Sequence, residues 1–261
     1  MDTARSRSVA GAQSVARASA LLRLVTSAGD EGASASELTE RSGLTRPTVH
    51  RLLAALREEG LVDQDGRTAR WVPGPELYLM GTVAAARYDV TALAHDIVRS
   101  LAVRTEESAF LSVRRGDETV CLVQEDGSFP IRSHVLHEGS RFPLGVASAG
   151  LAILSFLPQA EIDDYLARHP ELSDDFGRSH GEKRMRTRLA ETRERGYAVN
   201  PGLIVEGSWG MGAAVFDRRG EPRWALSLTG VEFRFGADRL PELGRTLLAH
   251  AHQLSSRLAS R

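Results

Sequence analysis

The stretch from Ala33 to Val72, ASASELTERSGLTRPTVHRLLAALREEGLVDQDGRTARWV, decides the fold of the first part of the chain. Its spacing predicts two short helices around a glycine turn, followed by a β-hairpin. Ser34 and Glu37 match a capping box, in which the N-cap and N3 side chains satisfy each other's backbone amides. Gly43 suits the left-handed conformation that ends a helix. This order of elements is typical of a winged helix–turn–helix domain that presents one helix to the DNA major groove.

The second helix is predicted from Arg46 to about Glu59, with Thr45 as its N-cap and Pro47 in its first turn. Four apolar residues share one face at helical spacing: Val49, Leu52, Leu53 and Leu56. The stretch 46–57 contains three arginines and no acid. Small residues allow a helix to approach a groove closely, and arginine binds guanine edges or phosphates. An ordinary amphipathic helix with a solvated basic face would show the same pattern, but the flanking elements favour DNA binding.

The predicted hairpin begins at Leu61 and Val62, turns at Asp65-Gly66 and returns over Ala69 to Val72. Arginines at the tip and on the return strand of such a wing reach phosphates or the minor groove. The predicted DNA contacts are Ser34, Thr45, Arg46, Pro47, Thr48, His50, Arg51, Arg67 and Arg70.

The sequence predicts four parts: a flexible N-terminal arm over residues 1–13, the DNA-binding domain over 14–74, a linker helix over 75–90 and a second domain over 91–261. In the arm, Arg5 and Arg7 are possible DNA contacts, although a disordered tail is favoured. A helix over 14–28 is expected to close the small core of the first domain. Its apolar positions are Val15, Ala18, Leu21, Leu22 and Val25. The linker helix is predicted from Glu76 to about Tyr88 and is a candidate dimerisation element, because a solitary helix gains stability only by packing.

Composition constrains the function less sharply. The net charge of −1 gives no global signal for nucleic acid, and only Lys183 among the 33 basic residues is a lysine. The single cysteine, Cys121, excludes an intrachain disulfide framework and a cysteine-cluster zinc site, and it is expected to be buried and inert. The N-terminus lacks the apolar core of a signal peptide, and no apolar stretch is long enough to span a membrane. A cytoplasmic protein without a cofactor is the simplest expectation.

The second domain alternates helices with strands joined by short turns, which predicts an α+β fold with an antiparallel sheet flanked by helices. Strands are predicted over 108–114, 119–125, 131–136, 197–200, 211–216 and 224–229. Helices are predicted over 91–104, 147–156, 162–168, 183–195 and 238–258.

Three blocks in this order resemble the IclR family of transcriptional regulators. The first is the helix–turn–helix, with Gly43-Leu44-Thr45 and Arg51-Leu52-Leu53. The others lie in the second domain: Phe142 to Pro158 (FPLGVASAGLAILSFLP), then Arg195-Gly196-Tyr197-Ala198, Glu206-Gly207 and the hairpin Ala213 to Gly230. The resemblance implies a GAF-like effector domain, a homodimer or homotetramer, and ligand-controlled binding to a pseudo-palindromic operator. It favours a repressor over an activator.

The resemblance also implies an effector pocket on the sheet. The positions it assigns are Ser148, Ala149, Asn200, Gly210, Ser227 and Thr229. Free amides at a helix N-terminus favour an anion, as at Ser148 and Ala149. Ser227 and Thr229 lie two apart on one strand and so point to the same face. An N-cap serine and a polar pair on a solvated sheet face are the alternatives.

This chain departs from the family pattern at several positions. Gly145 stands where histidine is common and Leu151 where lysine is common, an acidic residue is frequent in the family near Asn200, and Gly210 contributes no side chain at a pocket position. Trp209 and Met211 near the pocket could also make it larger or more apolar. A small organic acid is therefore the default effector, with an aromatic compound as the alternative.

Other functions are weaker candidates. His134, His137 and Glu138 could suggest a metal site, but spaced histidines at a strand end usually lie in a solvated loop. Ser148 lacks the glycine pattern of a nucleophile elbow, so a hydrolase is disfavoured. The remaining alternative from another class is a winged-helix regulator whose second domain is a protein-interaction module without a ligand.

Overall fold

The computed structural model of the chain describes residues 12–85 and 90–260. The chain divides into two compact units between Asp89 and Val90, and each is described by itself. Arg5 and Arg7 of the predicted arm lie outside the described residues. No helix within the described ranges is long and apolar enough to cross a membrane.

The first unit is a helical domain with a small two-stranded sheet. Its elements are α1 (Gln13–Thr26), α2 (Ala35–Ser42), α3 (Arg46–Glu58), β1 (Val62–Gln64), β2 (Trp71–Pro73) and α4 (Pro75–Ala85). The core forms where the apolar faces of α1, α2 and α3 meet, around fully buried Leu21, Leu38 and Leu53. Val15, in the first turn of α1, was expected in this core but is 67% exposed.

The predicted capping box is confirmed. The Glu37 amide donates to Ser34 Oγ at 3.2 Å, and the Ser34 amide donates to Glu37 Oε2 at 2.7 Å. Gly43 ends α2 with φ 64°. Thr45 does precede α3, but its hydroxyl lies 2.9 Å from the Thr48 hydroxyl and makes no capping bond to the backbone.

The predicted turn at Asp65-Gly66 lies in the loop between β1 and β2, but the return strand begins at Trp71 rather than Ala69. Within this loop Ala69 rather than Gly66 takes a positive φ, of 57°. The Asp65 carboxylate organises the loop by accepting from the Arg67 amide at 3.0 Å and the Thr68 amide at 2.7 Å. These bonds lower the pKa of Asp65. An Asx-type turn replaces the tight hairpin because the side-chain acceptor satisfies amides that strand pairing would otherwise use.

Helix α4 matches the predicted linker helix over its described length. It carries large apolar side chains that are mostly exposed in the chain, including Met80 at 56% and Val83 at 79%. The remainder of the predicted helix, through Tyr88, lies outside the described residues.

Over residues 90–260 the second unit contains six strands and six α-helices. Its strands are β3 (Ser108–Arg115), β4 (Glu118–Glu125), β5 (Arg141–Pro143), β6 (Ala198–Pro201), β7 (Ser208–Phe216) and β8 (Pro222–Val231). Its helices are α5 (Val90–Thr105), α6 (Ser148–Ser155), α7 (Gln159–Arg168), α8 (Leu172–Phe176), α9 (Glu182–Arg195) and α10 (Leu240–Ala259).

The strands form one antiparallel sheet in the order β5-β4-β3-β8-β7-β6. Strand β8 lies near the centre of the sheet, and its side chains alternate between two hydrophobic cores, one on each face of the sheet. Leu226 and Leu228 pack with α5 and α10, whereas Ala225 packs with α6 and α9. The predicted antiparallel sheet flanked by helices is confirmed. Ser227 and Thr229 share the α6 face with Ala225, because side chains alternate along a strand.

The predicted strand over 131–136 is wrong. The segment pairs with no strand, and the sheet edge is instead β5, where Arg141 lies opposite Val120. Ile131 is 56% exposed whereas Leu136 is buried. The apolar residues of this segment therefore do not form one buried strand face, and Leu136 packs into the protein from a loop. A hydrogen bond of 2.6 Å between the Ser133 and Ser208 hydroxyls holds this loop to β7. Helix α8 was not predicted, because five residues are too short to show a helical period.

Candidate functional site

Helix α3 offers a polar surface opposite its buried face. Arg46, Pro47, His50 and Arg51 are exposed, and Thr48 is half-buried. Val49 and Leu53 are fully buried on the other side, which fixes the rotation of the helix on the core. The exposed residues lie in the first turns of α3, the part of a recognition helix that contacts base edges. This surface can donate hydrogen bonds to guanine or phosphate through its arginines.

The two wing arginines lie in different environments. Arg67 is exposed in the loop between β1 and β2. Arg70 is half-buried, and its guanidinium donates to the Gly32 carbonyl at 3.0 Å and to Glu37 Oε2 at 2.9 Å. Arg70 therefore fastens the wing to the start of α2, and we assign it to the internal structure of the domain. Ser34 is likewise occupied by its capping box.

A small cavity lies between the sheet and α6. All six positions that sequence reasoning assigned to the pocket line it: Ser148, Ala149, Asn200, Gly210, Ser227 and Thr229. The loop over 131–140 contributes Val135, Leu136 and Ser140 to its wall, and Trp209 and Ile204 come from the β6–β7 region. The cavity volume is about 30 Å³, which leaves room for roughly two water molecules.

Two hydroxyl groups in this cavity have no partner. Ser227 is 1% exposed and Thr229 is 9% exposed, and neither side-chain oxygen makes a hydrogen bond within the described part of the chain. Buried hydroxyls are normally satisfied, and leaving one unpaired is unfavourable. The pair is therefore the part of the cavity wall that a ligand or an ordered water molecule would satisfy.

The other predicted pocket residues also have roles in the local structure. Asn200 donates from Nδ2 to the Val146 carbonyl at 2.8 Å and accepts from the Leu203 amide at 3.0 Å. It thus holds the loop after β6 against the segment before α6. Gly210 contributes space, since a Cβ there would lie 3.1 Å from Ser148 Oγ. The Ser148 and Ala149 amides belong to the first turn of α6, where amides lack helical partners.

Sequence reasoning missed two buried polar residues in the cavity wall. Ser112 on β3 and Thr119 on β4 are 2% and 3% exposed. A polar residue inside an otherwise apolar strand was the available signal. It could not be used without the strand pairing that brings β3 and β4 next to the β8 hydroxyls.

The candidates for other chemistry are placed apart from the cavity or committed elsewhere. Within residues 12–85 and 90–260, no group of three histidine, cysteine or acidic side chains could hold a metal ion. His137 Nδ1 lies 2.9 Å from the Glu138 carbonyl oxygen, in an exposed position. Cys121 is buried, as expected, and burial raises its thiol pKa to about 12, so the nucleophilic thiolate is disfavoured.

The first unit is thus a winged helix–turn–helix domain with an exposed basic recognition helix, and the second contains a small, largely apolar cavity beneath its sheet, with a few hydroxyl groups in its wall. These features define a two-domain transcription regulator. Residues 14–66 match the IclR helix-turn-helix domain, and residues 82–256 match the C-terminal domain of bacterial transcriptional regulators of the IclR type. The chain belongs to the IclR family of DNA-binding transcriptional regulators.

Relatives match across most of their length. The chain is 27% identical over 223 residues to the HTH-type transcriptional regulator KipR of Bacillus subtilis, covering 85% of this chain and 88% of KipR. It is 26% identical to the acetate operon repressor of Salmonella typhimurium, covering 84% and 81% of the two chains. The crystal structure of the Thermotoga maritima IclR superposes with a TM-score of 0.72 at 26% identity, covering 95% of this chain and 99% of the other.

Proposed function

We propose that this regulator is a repressor whose operator binding responds to a small organic acid held in the cavity beneath the sheet. It binds a pseudo-palindromic operator as a homodimer or homotetramer. The observation that carries the proposal is the pair of buried, unpartnered hydroxyls of Ser227 and Thr229. Similarity to the acetate operon repressor of Salmonella typhimurium supports repression over activation.

On the DNA side, the proposal assigns base or phosphate contacts to the exposed start of α3. Arg46, His50 and Arg51 supply donors, Pro47 and Thr48 allow close approach, and Arg67 reaches the backbone from the wing. Ser34 and Thr45 lie at the two helix starts, where backbone amides can meet phosphate oxygens. Two copies related by a two-fold axis would read two half-sites.

On the effector side, the cavity supplies complementary groups from two directions. The Ser227 and Thr229 hydroxyls can donate to ligand oxygens from the sheet. Ser148 and Ala149 line the same space at the first turn of α6, and a helix N-terminus favours negative charge. A carboxylate between these groups would satisfy donors that otherwise remain unpaired.

The size of the cavity favours a small acid over an aromatic effector. A volume of about 30 Å³ would have to grow before it could hold a ring. The growth would have to come from the loop over 131–140, because the opposite wall is the sheet itself. A protein-interaction module would not need buried, unpartnered hydroxyls in the wall of a cavity, so this alternative is less well supported.

Footprinting on DNA flanking the regulator's own gene, over a salt series, tests the DNA half, since nonspecific binding weakens more readily with salt. The effector half is tested by adding carboxylic acids of two to four carbons to the protein–operator complex and measuring whether the operator is released. The double variant Ser227→Ala/Thr229→Val should footprint normally but lose the response to the acid. Normal release from that variant would place the effector elsewhere.

A further inference from the structure

A second and larger cleft lies in the effector unit, lined by α9, the 3₁₀ turn Arg178–His180 before it, and the loop after β6. Its volume is about 550 Å³. Four arginines line this cleft with a single acid: Arg178, Arg184, Arg188 and Arg195, with Glu191. The cleft therefore carries an excess of positive charge.

Arg188 is the unusual member of this set. Each of its three guanidinium nitrogens has less than 1 Å² exposed and lacks a hydrogen-bond partner within the described residues. Burial lowers the pKa of Arg188 to about 10 despite the opposing charge of Glu191. A buried guanidinium without hydrogen bonds is strongly unfavourable, because desolvation is not repaid by pairing.

The nearby acid does not satisfy this need. Glu191 Oε2 accepts from Arg195 Nη2 at 3.0 Å, and the Glu191 carbonyl accepts from Arg195 Nε at 3.2 Å. Glu191 is therefore committed to Arg195. Arg178 and Arg184 are exposed, and neither forms a salt bridge within the part of the chain that the structure describes. The cleft thus combines a buried donor group with two open arginines.

The remaining wall indicates the rest of the ligand. Leu203, Trp209, Val199 and Leu240 give the cleft an apolar side. A guanidinium fork matches the oxygen geometry of a carboxylate or a phosphate, and an aromatic or aliphatic body would lie against the apolar side. The cavity beneath the sheet differs, since its described wall holds hydroxyl and amide groups but no charged side chain.

We propose that this cleft is a second ligand site, separate from the effector cavity, which binds a small organic oxyanion with an apolar body and pairs it with Arg188. Trp209 lines both spaces, so the two sites share one wall but not their polar groups. Anion binding in this cleft does not depend on a ligand in the effector cavity.

Isothermal titration of the full chain at constant ionic strength tests this proposal with three probes: benzoate, phenyl phosphate and benzamide. The probes share a ring, and only the first two carry an oxyanion. At least one anion should bind about tenfold more tightly than benzamide or better. Equal binding of benzamide, or no binding of either anion at millimolar concentration, would overturn the proposal.

Variants then assign the site. Arg188→Met should remove one anion site per chain while leaving the melting temperature of the free protein unchanged or higher, because it deletes an unpaired buried charge. Arg188→Lys, which keeps the charge but loses the fork, should bind the anion more weakly than the wild type. Arg219→Met, on the exposed turn between β7 and β8, serves as the control for general charge and should bind normally.

The Ser227→Ala/Thr229→Val variant separates this site from the effector cavity and should keep the Arg188-dependent anion. Loss of that anion in the double variant and its retention in Arg188→Met would place it in the effector cavity and overturn the proposal. The proposal would equally fail if Arg188→Met only dissociated an oligomer without any anion binding, since the cleft would then hold a second copy of the chain.

Discussion

Arg70 on the wing donates a hydrogen bond of 2.9 Å to Glu37, the residue that also completes the capping box of α2. The same guanidinium donates to the Glu31 carbonyl at 2.9 Å and the Gly32 carbonyl at 3.0 Å. The capping bonds from Ser34, with a smaller contribution from Arg70, lower the pKa of Glu37. Arg70 thus adds side-chain bonds to the backbone bridge between Ala33 and Trp71, and both connect the wing to the segment before α2.

Arg70→Met should lower the melting temperature of the protein and weaken operator binding without changing the salt slope, because Nε and Nη2 of Arg70 already donate hydrogen bonds inside the domain. Arg67→Met is the matched variant on the same wing. It should leave stability unchanged and reduce the slope of log K against log salt by about 0.9, as expected for one lost phosphate contact. Filter binding over a salt series measures both slopes. A reduced slope in Arg70→Met would show that this arginine reaches DNA directly.

Arg51→Ala should weaken operator binding by about 1–3 kcal/mol if the side chain contacts a guanine, and the loss should be selective for one base position. Arg57→Ala is the control on the same helix, since Arg57 lies in the last turn of α3, away from the groove-facing start. Gel shifts with systematically altered operators separate base from phosphate contact. Equal losses of operator affinity in Arg51→Ala and Arg57→Ala would contradict a base contact by Arg51.

Gly212→Ala should destabilise the effector unit by about 1–3 kcal/mol through overpacking. A Cβ at Gly212 would lie 2.4 Å from the Ser148 carbonyl oxygen, part of the backbone of α6. Gly210→Ala is milder, since its Cβ would meet the Ser148 hydroxyl at 3.1 Å, and that group can rotate. Thermal melts should show a clear loss for Gly212→Ala and little change for Gly210→Ala, whose defect should appear in the effector response. The reverse order of stability would contradict the packing of α6 on β7.

Acid should destabilise the effector unit through His180, which is 1% exposed. Burial, followed by the charge of Arg188, lowers its pKa from the usual 6.5. The folded state therefore keeps this imidazole neutral, and the unfolded state takes up the proton first as the pH falls below about 6.5. The contribution of His180 to stability is present above that pH and is lost as the pH drops toward the folded pKa.

His180→Gln should flatten the fall in unfolding free energy between pH 7 and pH 5 by removing this differential proton uptake. His252→Gln, at an exposed position of α10, should leave the fall unchanged. Urea unfolding at several pH values measures the slopes. An unaltered slope in His180→Gln would show that the imidazole titrates alike in both states.

The parts of the fold predicted correctly from sequence depend on short-range interactions. The Ser34–Glu37 capping box, the left-handed Gly43 and the buried face of α3 each involve residues within a few positions of one another. The predicted cavity positions were also brought together, although family resemblance rather than spacing selected them. The predicted strand over 131–136 is wrong because a strand requires a distant pairing partner, and this segment lies outside the six paired strands of the sheet. The hydrogen bond from Arg70 to Glu37 joins residues 33 positions apart, so local spacing did not indicate it, and a DNA contact by Arg70 stays a prediction.

The sequence by itself determined the class of protein, because capping, helical periodicity and glycine positions in the first 74 residues depend on residues that are close together in the chain. Only the tertiary structure decided which polar groups remain unsatisfied. The Ser227 and Thr229 hydroxyls and the Arg188 guanidinium belong to elements that appear ordinary in sequence. They become candidate binding groups because sheet pairing and helix packing remove them from water without supplying a partner, and burial of that kind is a property of the whole fold.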